Sequence, residues 1–127
     1  MKSFIVNTNK KIEMVNITAH VKKIVKDLGI KDGVVTIYVP HTTAGITINE
    51  NTDPDVVIDV LTSLDRMVPS SGKYSHAEGN ASAHVKASLM GASVQVPVVG
   101  GHIQLGSWQA IYFCEFEGPR NRKVWVK

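Results

Sequence analysis

Ser93-Val94-Gln95-Val96-Pro97-Val98-Val99-Gly100-Gly101-His102-Ile103-Gln104-Leu105 is the stretch that decides the fold class. Valine at every second position over 94–98 marks a strand with one buried face. The Val-Gly-Gly turn joining it to 102–105 is a hairpin signal, and a tight hairpin pairs its strands antiparallel. Downstream, Trp108 to Phe116 predicts a long strand. The Gly118-Pro119-Arg120 turn then leads into a strand over Lys123 to Val126. Upstream, Ser3 to Thr8 predicts a first strand that continues after a turn at Asn9-Lys10. Gly33 to Val39 and Ala44 to Asn49 predict two more strands, separated at Pro40.

Three segments carry the helical period instead. Between Met14 and Leu28 the apolar residues Ile17, Val21, Ile24, Val25 and Leu28 share one face, with Asn16 or Thr18 as cap and Gly29 at the left-handed end. Asp53 caps a helix that starts at Pro54, carries Val57, Val60, Leu61 and Leu64, and runs to about Met67. Gly79 to Gly91 predicts a third helix, with Asn80 as cap and Ala83, Ala87 and Met90 as its stripe. About seven strands with three helices, not alternating one for one, predict a single α+β domain over 1–127 with mainly antiparallel pairing.

Composition bounds the function. A chain of 127 residues suits one domain and is too short for a TIM barrel. It is 43% hydrophobic and 20% charged, which excludes a disordered chain. The net charge of +3 and the pI near 9.1 rest on a few basic residues spread over the first thirty positions and the C-terminal tail. With 6% aromatic residues they read as a solvated surface, not a nucleic-acid interface. The single cysteine, Cys114, excludes an intrachain disulfide and sits in an apolar run as a buried small hydrophobe. No membrane span and no signal peptide is visible, so the expected compartment is the cytoplasm.

Polar residues gather at three element boundaries, where a plain fold does not need them. These are His41-Thr42-Thr43-Ala44-Gly45, then His76 to His84, then Gly106-Ser107-Trp108-Gln109 with the exit through Glu115, Glu117, Gly118, Pro119 and Arg120. His20 and His102 read as ordinary surface residues. His41, His76 and His84 are candidate metal ligands, because three imidazoles plus water make an open site of catalytic type. One straight helix would hold His76 and His84 about 12 Å apart, too far to share an ion. The site therefore requires His76 in a loop, a turn at Gly79, and His84 on the first turn of the helix. Spacing alone favours three unrelated surface histidines over a shared site.

Glu50, at the end of the strand from His41, is a candidate base, an orienting partner or a solvated residue. Asp53 reads as a helix cap and Asp55 as a dipole partner. Glu78 divides between a metal ligand or base and an exposed loop residue. Arg120 and Arg122 offer guanidinium groups for an anion. A P-loop and a nucleophile elbow are both excluded by spacing.

At these segments the chain resembles the YjbQ family, whose members are often described as secondary thiamine-phosphate synthases. The matching stretches are His41 to Asn51 with Asp53 to Val56, His76 to Lys86 with Ser88 to Gly91, Leu105 to Gln109, and Glu115 to Arg120. The resemblance implies an α+β sandwich-like domain assembling as a homotrimer, with a histidine-rich pocket for a divalent metal, zinc. On the motif match the ligands are His41, His76 and His84, supported by Glu50, Asn80 and Arg120. The implied chemistry joins a pyrimidine diphosphate to a thiazole phosphate. Two readings follow. One is a metal-assisted enzyme acting on a small phosphorylated metabolite, with Glu50 as base or orienting group and Arg120 as anion clamp. The other is a trimeric metabolite-binding or regulatory module with a structural metal and no turnover.

Overall fold

A computed structural model describes residues 1–127. The chain forms β1 (Lys2–Asn7), β2 (Glu13–Asn16), α1 (Thr18–Leu28), β3 (Gly33–Tyr38), β4 (Ala44–Glu50), α2 (Pro54–Met67), α3 (Ala81–Met90), β5 (Ser93–Val99), β6 (His102–Ile103), β7 (Gln109–Glu115) and β8 (Asn121–Val126). One sheet has five strands in the order β1-β8-β3-β5-β6, and the other has three in the order β2-β7-β4. Every pairing is antiparallel. The α+β class with three helices and mainly antiparallel strands is what the sequence predicts.

The main core lies between the two sheets. Alternate residues of the larger sheet point into it, among them Val35, Ile37, Val96, Val98, Val124 and Val126. From the smaller sheet come Ala44, Ile46, Ile111 and Phe113, and from α1 come Val21, Ile24 and Val25. The helical stripe read from the sequence is thus the buried face of α1. Gly29 ends that helix at φ 69° and donates its N–H to the Lys26 carbonyl. The other face of β7 is also covered. Ala110, Tyr112, Cys114 and Phe116 pack against Leu64 of α2 and Ala83 and Ala87 of α3. Burial on both faces explains why 110–114 reads as a continuous apolar run.

Some boundaries differ from the sequence reading. Glu13–Asn16 is a short strand beside β7, not the lead-in of α1, which begins at Thr18. Neither Asn16 nor Thr18 occupies the cap position. Ile17 does, while Asn16 Oδ1 accepts the Thr18 N–H at 3.0 Å. The chain does turn at Asn9-Lys10, where Glu13 Oε2 accepts the Lys10 N–H at 2.9 Å, but it continues into the second sheet. Asp53 caps α2 by accepting the Asp55 N–H at 2.9 Å. Asn80 holds the cap position of α3 without a capping side-chain bond. Cys114 is fully buried, and burial pushes its thiol up to about 12, so it is a packing residue.

Candidate functional site

The turn required at Gly79 is present. Gly79 has φ 79°, a conformation glycine adopts without penalty. It separates His76, in the loop after α2, from His84 on the first turn of α3. The two rings meet edge to face with centroids 5.3 Å apart. A Glu78 carboxylate oxygen lies 3.6 Å from His76 Nε2. His84 forms a ridge between two shallow depressions. One, of about 430 Å³, is lined by Tyr74, Ser75, His76, Ala81 and Val85 together with His84. The other, of about 390 Å³, carries His41, Thr42, Ala44 and Ser88 with His84.

What lets α3 lie this close to β4 is Gly45. A Cβ there would stand 2.8 Å from the Gly91 carbonyl oxygen and 2.9 Å from Met90 Cβ. His41 lies in the β3–β4 connection, and its Nε2 accepts the Lys123 N–H at 2.8 Å. Partial burial and the nearby Arg122 guanidinium hold His41 below its ordinary value, so the ring is neutral near pH 7. In that tautomer the ring proton sits on Nδ1.

Beneath His41 is a polar cluster that the sequence reading divides among separate roles. Glu115 is fully buried, because it shares the inward face of β7 with Ile111 and Phe113. Arg122 Nε donates to both Glu115 oxygens, at 2.9 and 3.1 Å, and Nη2 donates to Thr43 Oγ1 at 2.9 Å. Thr8 Oγ1 donates to Glu115 Oε1 at 2.7 Å and accepts the Arg120 N–H at 2.9 Å. Arg122 is therefore the partner of Glu115 and not a free anion clamp. The cluster fixes the strand whose Lys123 N–H orients His41.

The supporting candidates are placed apart. Arg120 is exposed, with Nε donating to the Glu117 carbonyl at 2.8 Å and Nη2 3.4 Å from the Glu117 carboxylate. Glu50 lies at the far end of β4 from His41, opposite Gln109, while Ala44 lies opposite Glu115. Six residues of strand separate the two ends by about 20 Å. Burial and the Glu50 carboxylate raise the Tyr112 hydroxyl, which donates to the Glu50 carbonyl at 3.2 Å. Asn80 stays near His76 and His84 in sequence and fold. Its Oδ1 is buried and has no hydrogen-bond partner. Lys86, to which the sequence reading gives no role, is almost fully buried and ion-paired to Asp65 at 2.9 Å, tying α3 to α2.

As donors for a metal, the chain thus offers the His76–His84 ring pair and the unpartnered Asn80 oxygen. No three His, Cys, Asp or Glu side chains converge closely enough to hold an ion together. His41 joins them only by giving up its Lys123 bond.

Residues 2–127 match the family model described as UPF0047 protein YjbQ-like. A UPF0047 protein, YugU of Bacillus subtilis, is 48% identical, covering 100% of this chain and 97% of its own. A UPF0047 protein of Methanocaldococcus jannaschii is 47% identical, covering 96% of this chain and 88% of its own. Among solved structures, a YjbQ/UPF0047 protein of Clostridium acetobutylicum superposes with TM-score 0.97 at 51% identity, covering 100% of this chain and 98% of that one. A YbjQ-like protein of Sulfolobus solfataricus gives TM-score 0.94 at 36% identity, covering 98% and 92%. The fold and the motifs at 41–51, 76–91 and 105–120 therefore have one source: the chain belongs to the YjbQ-like UPF0047 family.

Proposed function

We propose that this chain is a metal-assisted enzyme acting on a small phosphorylated metabolite, with a thiamine-phosphate-synthase-like side activity. The observation that carries the reading is the His76–His84 ring pair at 5.3 Å, with a buried, unpartnered Asn80 oxygen at the start of the helix that carries His84. Buried acceptors without a partner are uncommon, and a cation is one way to satisfy them. In this proposal His76 and His84 hold a divalent metal, zinc, and His41 completes the set. A metal ligand must be an unprotonated imidazole, which the environment of His41 favours. A bound metal would polarise a phosphoryl oxygen or supply hydroxide.

The remaining roles fall to this chain's own groups. Thr42 lines the His41 depression and offers a hydroxyl donor to a phosphate, whereas the Ser88 hydroxyl beside it already donates to the His84 carbonyl at 2.9 Å. Glu115 and Arg122 fix the strand whose Lys123 N–H occupies His41 Nε2, a bond that His41 exchanges for the metal when it completes the set. Glu50 and Arg120 act on the same substrate only across a subunit boundary, which accords with the proposed cytoplasmic homotrimer.

Metal analysis of chelator-free protein with added zinc tests the proposal. One zinc per chain is expected. His84→Ala, at a partly buried position, should weaken zinc by at least about tenfold, since even orienting groups are worth that much. Wild-type protein that stays metal-free after zinc addition would overturn the reading. The joining of a pyrimidine diphosphate to a thiazole phosphate, assayed in wild type and His41→Ala, tests the activity. Zinc binding without turnover would favour the metabolite-binding module.

A further inference from the structure

Four of the fourteen basic residues, all within positions 22–31, lie together at the end of β3 and β5 remote from His41. Lys22, Lys23 and Lys26 on α1, Lys31 after it, and the β5–β6 turn enclose a cleft of about 620 Å³. No aspartate or glutamate lines it. Lys23 is held by Asp27 at 3.1 Å, whereas Lys22, Lys26 and Lys31 have no carboxylate within ion-pair distance. Asp32, the next carboxylate along the chain, accepts the N–H of the lining residue Gly100 at 3.2 Å but does not itself line the cleft. The Gly101 N–H donates to the Lys31 carbonyl at 2.8 Å, clipping the hairpin to this turn. A Cβ at Gly101 would lie 3.9 Å from Lys31 Nζ, so the ammonium sits directly over the glycine.

Lysines near a helix C-terminus are favoured by the dipole, and that accounts for Lys26 alone. It does not account for Lys31 beyond the helix or for Lys22 in its first half. Three unpaired ammonium groups around one concavity cost repulsion that an anion relieves.

The cleft does not stop there. Lys22 and Ile103 also line an adjoining cleft of about 670 Å³, whose other walls include Asn16, Thr18, Asn51, Ser107 and Gln109. Lys22 is its only charged residue. Asn16 and Gln109 have their side-chain oxygens occupied, by the Thr18 and Gly106 N–H groups, which leaves their amide NH₂ groups free to donate. Both volumes fall in the range of about 300–1,000 Å³ usual for small-molecule sites. The family motif Gly106 to Gln109, to which the histidine site gives no role, forms one wall.

We infer that the two joined clefts bind a nucleoside polyphosphate, with its phosphates over Lys22, Lys26 and Lys31 and its uncharged body against Asn16, Ser107 and Gln109. A nucleic-acid strand fits less well. It needs a continuous basic track and aromatic platforms, whereas here the charge ends at Lys22 and the His102 imidazole is the one aromatic ring lining either cleft, with no Phe, Tyr or Trp. The length of β3, roughly 20 Å, separates this site from His41.

Equilibrium dialysis at low and moderate salt, with ATP, inorganic tripolyphosphate and adenosine as probes, tests this. ATP is expected to saturate at one per chain, more weakly at higher salt. The double variant Lys26→Ala, Lys31→Ala changes only exposed side chains. It should weaken ATP and tripolyphosphate by at least about tenfold, given the worth of a charged hydrogen bond, with an unchanged thermal midpoint. Gln109→Ala should weaken ATP and leave tripolyphosphate as it was. His84→Ala should change neither, which keeps this result separate from the zinc test. No saturable ATP binding, equal affinity in the double variant, or binding only of RNA that strengthens with length would overturn the inference. ATP and tripolyphosphate responding alike to Gln109→Ala would overturn the nucleoside part.

Discussion

Arg122→Ala is expected to destabilise the fold by about 3–5 kcal/mol at pH 7, because it leaves the Glu115 carboxylate buried and unpaired. Three of the Glu115 contacts come from Arg122 Nε and Nη2, and Thr8 supplies only one more from a side chain. Burial alone would raise the Glu115 carboxyl. The Arg122 and Thr8 hydrogen bonds and the Glu117 N–H outweigh it and hold the group below its ordinary value near 4.5. The native protein then binds fewer protons than the unfolded chain in this range. The contribution is complete above pH 4.5 and is lost as pH falls through the lower native value. Without Arg122 the sign reverses, since burial then dominates and the native carboxyl prefers its proton. The deficit of Arg122→Ala should therefore shrink between pH 7 and pH 4, read by urea unfolding at each pH. The pair Glu115→Gln, Arg122→Met, which removes both charges, should cost less than Arg122→Ala alone. A deficit independent of pH would show that lost packing, not the stranded charge, sets the cost.

Gly45→Ala is expected to cost about 1–3 kcal/mol, the range for a forced methyl in a packed interior. The groups it meets are the Gly91 carbonyl, Met90 Cβ and, at 3.3 Å, the Ala87 carbonyl. Two of the three are backbone, so side-chain rotation cannot relieve them. The last turn of α3 must lift from β4, and the depression between His41 and His84 must widen. Thermal unfolding reads the stability loss. Zinc affinity reads the displacement, and it should fall in Gly45→Ala while Ala92→Gly, at the rim of the same depression, leaves it intact. Full stability in Gly45→Ala would mean that α3 is not seated on β4 through this glycine.

Much of this was legible in the sequence for a physical reason. Period alone located α1 and β5, since each has one buried face. The rise of a helix alone required the Gly79 turn between His76 and His84. The misread parts are those whose partners are distant along the chain. Glu13 to Asn16 runs straight into an apolar helical stripe, so only its pairing with β7 marks it as a strand. Glu115 reads as a polar residue at a strand exit and Arg122, beyond the turn, as a guanidinium for an anion. The clue was the alternation of Ile111, Phe113 and Glu115, which turns the carboxylate inward and demands a buried cation. Glu50 follows His41 by nine positions, yet the extended strand between them makes that spacing a separation.

α2 carries seven apolar residues in its fourteen but fully buries only Leu64, while β7 is buried from Ala110 to Glu115. Amide protons of the two elements should therefore exchange with solvent on different clocks. Those of β7 wait for global unfolding, whereas those of α2 need only a local detachment that breaks the Lys86–Asp65 bridge. The helix that leads into the His76 loop is thus the part of the molecule freest to open and reclose without disturbing the rest.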